Sequence, residues 1–116
     1  MTVRKFSIAD ASFERSPGQE GEVFAGNVVD QRHGGPVTVG FGRYGPHQSI
    51  KETIAVHDVM VVLEGSLSVS THAVTLTAGP GEIVYMPKGE SVTIQSHEQG
   101  ATTAYVTYPH WQEAQA

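Results

Sequence analysis

The residues best suited to chemistry are concentrated in one short segment, 47–58, which contains two histidines and two carboxylates. Without cysteine thiolates, imidazole and carboxylate groups are the side chains that hold divalent transition metals. Strand alternation places His57 on the face opposite Asp58, so a metal site built from this segment needs a local irregularity. We therefore expect no cofactor, with a divalent transition metal as the alternative. The ligands in that alternative are Glu52, His57, Asp58 and His47.

Other catalytic groupings are missing from the sequence. The absence of cysteine excludes disulfides, thiolate catalysis and iron–sulfur clusters. There is no GxSxG nucleophile motif and no phosphate-binding loop of the GxxxxGK[ST] type, and no Ser-His-Asp grouping can be assembled. The remaining histidines fall in turns or at strand ends, where solvent exposure is expected; they are His33, His72, His97 and His110.

The elements that position these residues are predicted to be strands. A chain of 116 residues makes one domain, and 13 glycines with six prolines argue against a helical bundle. Short β-rich runs separated by turns predict eight to ten strands, and therefore a β-sandwich or barrel. The predicted strands are 3–8, 22–29, 36–44, 48–56, 58–63, 67–69, 74–76, 82–86, 91–95 and 102–108.

Composition excludes several classes of partner. Seven Lys and Arg residues against 12 Asp and Glu give a net charge of −5, and the basic residues form no stripe. Nucleic-acid binding and attachment to an anionic membrane both require clustered cations, so neither is expected. The longest aliphatic run, 59–63, is too short to cross a bilayer, and the N-terminus lacks a signal-peptide pattern. A cytoplasmic location is the default expectation.

Glycines and prolines in the second half of the chain recur with a specific spacing. The first pattern runs through Gly45, Lys51, Thr53, Asp58 and Gly65, and the second runs through Gly81, Pro87, Gly89, Val92 and Ser96. This spacing resembles the two sequence motifs of the cupin superfamily. The resemblance implies an all-β fold, a cupin-type double-stranded β-helix or jelly-roll barrel, in a single domain over 1–116. The barrel core would cover 36–108, with N-terminal strands in 1–35 and a short tail at 109–116.

The same resemblance implies the loss of the usual metal site. Cupins commonly hold a metal with two histidines and a glutamate from the first motif and one histidine from the second. Those positions here are Lys51, Thr53, Asp58 and Val92, of which the aspartate alone is a metal ligand. A divalent site needs three or four converging donors, which this set does not supply.

A narrower resemblance concerns segments 62–65, 80–89 and 105–112, which are similar to the EutQ family of cupins, named for ethanolamine utilisation. It implies a small-molecule-binding cupin without the usual His/Glu metal site, linked to ethanolamine or small-carboxylate metabolism. Two alternatives stay open. One is a metal-dependent isomerase or oxygenase with a rearranged ligand set, and the other is a non-catalytic accessory or assembly protein.

The motif register predicts a ligand pocket around Asp58, which occupies an inward position. Lys51 either faces inward and pairs with Asp58 or turns out to solvent. If Lys51 is inside, its ammonium favours an anionic ligand. Tyr85 is the aromatic candidate, because a buried tyrosine hydroxyl needs a partner. The predicted pocket residues are Lys51, Thr53, Asp58, Met60, Tyr85 and Val92.

The face of the same strand opposite Asp58 carries Val59, Val61 and Leu63. In a single barrel these side chains would be exposed, and a contiguous apolar patch usually marks an interface. A homodimer formed through this face is therefore expected.

Overall fold

Eight antiparallel strands form one bent sheet in the computed structural model, which describes residues 2–17 and 21–111. The strands are β1 (Glu14–Arg15), β2 (Val23–Val29), β3 (Thr38–Tyr44), β4 (Ser49–Thr53), β5 (His57–Ser70), β6 (Thr75–Ala78), β7 (Ile83–Met86) and β8 (Ser91–Tyr108). Two 3-10 turns, Ile8–Asp10 and Gln31–His33, precede β1 and β3. The predicted all-β fold is confirmed.

The two longest strands, β5 and β8, pair with each other along most of their lengths, from His57 opposite Tyr108 to Ser70 opposite Thr93. On its other edge, β5 pairs first with β7 and then with β6. β8 likewise pairs first with β4 and then with β3, and β3 continues the sheet to β2 and β1. Each long strand thus belongs to both halves of the barrel.

The long strands are continuous because their midpoints carry irregular pairing and glycines. The register between β5 and β8 shifts twice, around Leu63 and around Ser66. Gly65 and Gly100 adopt φ values of +73° and +67°, which side chains with a Cβ rarely adopt. The sequence suggested separate short strands at 58–63, 67–69, 91–95 and 102–108. The structure instead joins them in pairs, since bulges of this kind redirect a strand without ending it.

The inward side chains of both halves form one hydrophobic core. Its centre contains Val62 and Leu67, which have no exposed surface. The strands β4, β7 and β8 supply Ile50, Met86 and Ile94. The barrel is therefore packed at its middle, and any room for a ligand lies towards one end.

The N-terminal segment differs from the prediction. The strand expected over 3–8 is absent: Val3 is fully exposed, and Ser7 begins a 3-10 turn in which Asp10 accepts a hydrogen bond from the Ser7 backbone N–H. The sheet edge is instead occupied by the short β1, so residues 3–8 have no strand partner. The tail is described only as far as Trp111. Among the described residues, none forms a helix long and apolar enough to cross a membrane.

Candidate ligand pocket

A cavity of about 230 Å³ lies between the end of β4, the start of β5 and the end of β8. The loop at residues 54–56, Pro17 and Trp111 close its sides. Its polar and aromatic lining residues are Ser16, Tyr44, Glu52, Thr53, Asp58, Tyr105, Thr107 and Trp111. The volume is below that of a typical drug-sized site, so this cavity fits a small molecule.

Asp58 faces inward near the start of β5. Its direct cross-strand neighbours are Thr107 on β8 and Met86 on β7, both buried, and cross-strand pairs share a face of the sheet. Burial, together with the nearby charge of Glu52, raises the pKa of Asp58 from 3.8 to about 7. Among the described residues, no donor hydrogen bonds to this carboxylate, so nothing offsets the cost of its burial.

Glu52 is the second carboxylate in the cavity. It lies on the inner face of β4, where the predicted pocket has Lys51 and Thr53. Glu52 pairs with the buried Val92 and lies between the buried Ile50 and Ile54, so alternation along β4 points it inward. Its side chain remains open to solvent on one side. Burial by the cavity wall nevertheless raises its pKa.

Of the two orientations left open for Lys51, the structure has the one that faces solvent, and the inward position belongs to the next residue, Glu52. Lys51 pairs with Thr93 on the outer face and is exposed, so the predicted pair with Asp58 does not form. Thr53 shares that outer parity and lies at the cavity rim, where its hydroxyl is 3.2 Å from that of Ser91. The cause is local, since residues 51–53 are all polar and give no sign of which of them faces inward.

Thr107 has a buried hydroxyl without a hydrogen-bond partner among the described residues. The residue is 2% exposed, and it lines the cavity beside Asp58. Buried hydroxyls are nearly always hydrogen-bonded, because an unpaired one costs roughly 1–3 kcal/mol. The orphaned hydroxyl is thus a polar group that lacks the partner its position requires.

The threonine directly opposite on β3 shows the contrasting case. Thr38 Oγ1 lies 2.7 Å from His110 Nδ1, and His110 Nε2 lies 2.8 Å from the carbonyl oxygen of Gly35. A carbonyl only accepts, so Nε2 carries the hydrogen and, in the neutral ring, Nδ1 accepts from the Thr38 hydroxyl. His110 is buried rather than solvent-facing as the sequence suggested, because it ties the chain after β8 to the start of β3.

Tyr105 and Trp111 form an aromatic wall held by one amide. The Tyr105 hydroxyl and the Trp111 indole N–H both donate to Oδ1 of Asn27 on β2. Tyr105 can cross β3 because Gly40 has no side chain; a Cβ there would lie 2.6 Å from the tyrosine ring. Burial and the nearby Asp58 raise the pKa of Tyr105, and burial also raises that of Tyr44.

Three predicted pocket residues lie elsewhere. Met60 and Val92 are packed in the hydrophobic core beneath the cavity. Tyr85 is 58% exposed on the outer face, where it pairs with Val59 and stacks against His57. Residues 83–86 are apolar or aromatic on both faces, so their sequence does not distinguish Tyr85 from its inward neighbours. Of the predicted set, Thr53 and Asp58 border the cavity, and their contact with a ligand stays a prediction.

The alternative metal ligands are not brought together. Glu52 and Asp58 are neighbours, but His57 lies on the outer face, and the backbone N–H of His47 bonds the carbonyl of His97. Among residues 2–17 and 21–111, no group of three His, Cys, Asp or Glu side chains could hold a metal ion. The donor set described does not fit a cupin metal site.

The bent antiparallel barrel built on two long paired strands, with a cavity at one end, is a cupin fold. The cupin domain of Schizosaccharomyces pombe Cnp3 has the same fold, with a TM-score of 0.74 at 11% identity over 98% of this chain and 74% of that one. Within the cupins, the chain belongs to the EutQ family. The family profile described as ethanolamine utilisation protein EutQ matches residues 23–113.

Two further solved structures resemble the chain more closely in sequence. A protein of unknown function from Rhizobium leguminosarum bv. viciae 3841 is 65% identical, covering 95% of this chain and 100% of that one, with a TM-score of 0.80. Ethanolamine utilization protein Q of Salmonella typhimurium LT2 is 26% identical over 84% of this chain and 79% of that one, with a TM-score of 0.77. No curated protein sequence matches the chain.

Proposed function

We propose that this protein binds a small molecule in the cavity beside Asp58 and does so without a resident metal. The observation that carries the proposal is the Thr107 hydroxyl, which is buried and unpartnered among the described residues and belongs to a residue that lines a cavity of about 230 Å³. A bound ligand would supply the missing hydrogen bond. The cost of leaving that hydroxyl unpaired is then recovered on binding.

We also propose that the ligand belongs to ethanolamine or small-carboxylate metabolism. Membership of the EutQ family supports this link, since the family is described by its part in ethanolamine utilisation. The geometry supports binding more directly than it supports catalysis.

The test is a thermal-shift screen of small metabolites, repeated with Thr107→Val. This substitution keeps the shape of the side chain and removes the hydroxyl. We expect at least one compound to raise the melting temperature of the wild-type protein and to stabilise the variant less. Native mass spectrometry of freshly purified protein offers an independent view, because a bound metabolite would add its mass. A screen in which no compound discriminates between the two proteins would refute the proposal.

A further inference from the structure

The charges and hydrogen-bonding groups of the cavity define what kind of molecule it can hold. The cavity contains two carboxylates, Glu52 and Asp58, and its described lining residues include no lysine, arginine or histidine. An anion placed there would face two negative groups with no cation to offset them. The anionic ligand that an inward Lys51 would have favoured is therefore not supported by this geometry.

The aromatic wall adds to the preference of the cavity for a cation over an anion. Tyr105 and Trp111 both direct their hydrogen-bond donors to Asn27 Oδ1, so they contribute ring surface to the cavity rather than N–H or O–H groups. Ring faces attract cations through their quadrupole. The carboxylates accept hydrogen bonds without donating any when ionised. These four side chains together favour a ligand that is positively charged and rich in donors.

The remaining lining separates an organic cation from a metal ion. Apolar side chains from Ile50, Ile54 and Val56 form part of the cavity, and they offer nothing to a metal but do pack against carbon. A metal ion needs three or more ligating groups, and no such cluster occurs among the described residues. An ammonium needs only a few acceptors, and its hydrocarbon body gains by burial against the apolar wall.

Resting on the proposed small-molecule function, we propose that the cavity binds a small organic cation, a protonated primary amine with a short body. The ammonium lies between Asp58 and Glu52, and a polar atom of the ligand engages the Thr107 hydroxyl. The body of the ligand contacts the aromatic and aliphatic walls. The juxtaposition of two unpaired carboxylates and an orphaned buried hydroxyl in one cavity carries this assignment.

The test is isothermal titration of the full chain near neutral pH with three matched series of probes. They are primary amines and amino alcohols of about two to five carbons, the corresponding neutral alcohols, and the corresponding carboxylates. Magnesium, manganese and zinc ions are titrated separately. We expect saturable binding in the amine series, with the alcohols and carboxylates of equal length at least about tenfold weaker, since a charged hydrogen bond is lost or reversed.

Variants locate the binding. Asp58→Asn and Glu52→Gln each remove a charge while keeping the shape, and each should weaken amine binding about 10- to 100-fold. Thr107→Val should weaken it by less, about 3- to 10-fold. Glu98→Gln removes an exposed carboxylate outside this cavity and should bind the amine as the wild type does. Thermal unfolding of each variant establishes that it is folded.

Each other outcome overturns the assignment. Tighter binding of a carboxylate or an alcohol, reduced by Thr107→Val, would leave the small-molecule function standing and refute the amine. Stoichiometric binding of a divalent ion that Asp58→Asn abolishes would also refute it. If none of the probes binds and the metabolite screen is also negative, both the amine and the proposed function fail.

Discussion

The sheet formed by β7, β5, β8 and β3 has an inner face that is polar at the cavity end and an outer face that is apolar. At the cavity end the inner face carries a carboxylate and two hydroxyls, in the row Asp58–Thr107–Thr38. The outer face is apolar. Its row members are Val39, Phe41, Val59, Val61, Ile83, Tyr85, Ala104 and Val106, with Leu63 at the bulge.

Both faces carry a cost that the isolated chain does not relieve. The polar inner face loses hydration on folding, and the apolar outer face retains contact with water. Ile83 and Tyr85 are 64% and 58% exposed. The inner face is suited to a ligand that supplies hydrogen bonds, whereas the outer face is suited to a partner that supplies apolar surface. A second copy of the chain is the expected partner.

Two aspartates, the buried Asp30 and the half-buried Asp58, show the same contrast on a smaller scale. Asp30 accepts hydrogen bonds from the Arg32 side chain and backbone, and these hold its pKa below the ordinary value. Asp58 has no such donor among the described residues, and burial raises its pKa. Asp30 is a structural residue whose hydrogen-bond partners all come from the fold, whereas the carboxylate of Asp58 has no such partner among the described residues.

The largest effect is expected on the outer face, from Val61→Lys. If two copies pair through this face, the change buries an unpaired ammonium at its centre and should raise the dimer dissociation constant at least about a hundredfold. Light scattering after gel filtration measures the state. Val74→Lys is the matched control, because Val74 is an exposed valine on the β5–β6 turn, away from this face. A wild-type protein that is monomeric at micromolar concentration would contradict the dimer.

The next effect concerns Asp58 and pH. A carboxyl whose pKa is 3.8 unfolded and about 7 folded binds its proton more tightly in the folded protein. Its contribution to stability is therefore greatest below pH 3.8 and declines as the pH rises to about 7. Asp58→Asn should remove this decline and stabilise the protein above pH 7, by on the order of 2 to 4 kcal/mol.

Urea unfolding of the wild type and Asp58→Asn at several pH values between about 4 and 8 measures this effect. Glu98→Gln controls for the loss of a surface carboxylate. If Asp58→Asn is instead less stable at high pH, a cation must be paired with the carboxylate, and Asp58 is not an unpaired group of the cavity. An inward Lys51 paired with Asp58 would give the opposite result, because Asp58→Asn would then destabilise the protein.

These contrasts also show what the sequence can and cannot predict. The Gly and Pro spacing identified the fold, because turns and bulges such as that at Gly65 demand particular residues. Asp58 was placed inward by the same spacing. The sequence could not show that Glu52, rather than Lys51, faces the cavity. A change of one residue in register moves every side chain to the other face of the sheet, and residues 51–53 are uniformly polar.

The unpaired hydroxyl of Thr107 could not be predicted from the sequence for a different reason. Thr107 looks like any threonine of an alternating strand, and its importance depends on which residues of β5 and β3 lie opposite it. That pairing joins segments about 50 and 70 residues apart, as does the bond between His110 and Thr38. Tyr105 was likewise indistinguishable from Tyr85 until the pairing of their strands was known.

A smaller effect, with opposite signs at two neighbouring sites, is expected from a pair of threonines. Thr107→Val replaces an unpaired hydroxyl by a methyl group and should stabilise the unliganded protein by about 1–2 kcal/mol. Thr38→Val leaves His110 Nδ1 buried without its donor and should destabilise it by about 1–3 kcal/mol. Urea denaturation of the two variants, measured side by side, gives both values. Equal destabilisation of both would show that Thr107 has a partner inside the folded protein.

The smallest effect is expected from removing metals. The cupin positions that usually hold a metal are here Lys51 and Thr53 on the outer side of β4, Val92 in the core, and Asp58. Glu52 adds a second carboxylate to Asp58, but two carboxylates among aromatic and aliphatic side chains fall short of three or four converging ligands. Protein purified without chelator should therefore contain far less than one equivalent of zinc, manganese, iron or nickel, as measured by elemental analysis. Treatment with a chelator should shift the melting temperature by less than about 1 °C, because a metal that is not bound adds nothing to the free energy of unfolding. One equivalent of metal, together with a loss of stability in the chelator, would mean that Glu52 and Asp58 recruit a further ligand, and it would make a metal-dependent enzyme the better account of the cavity.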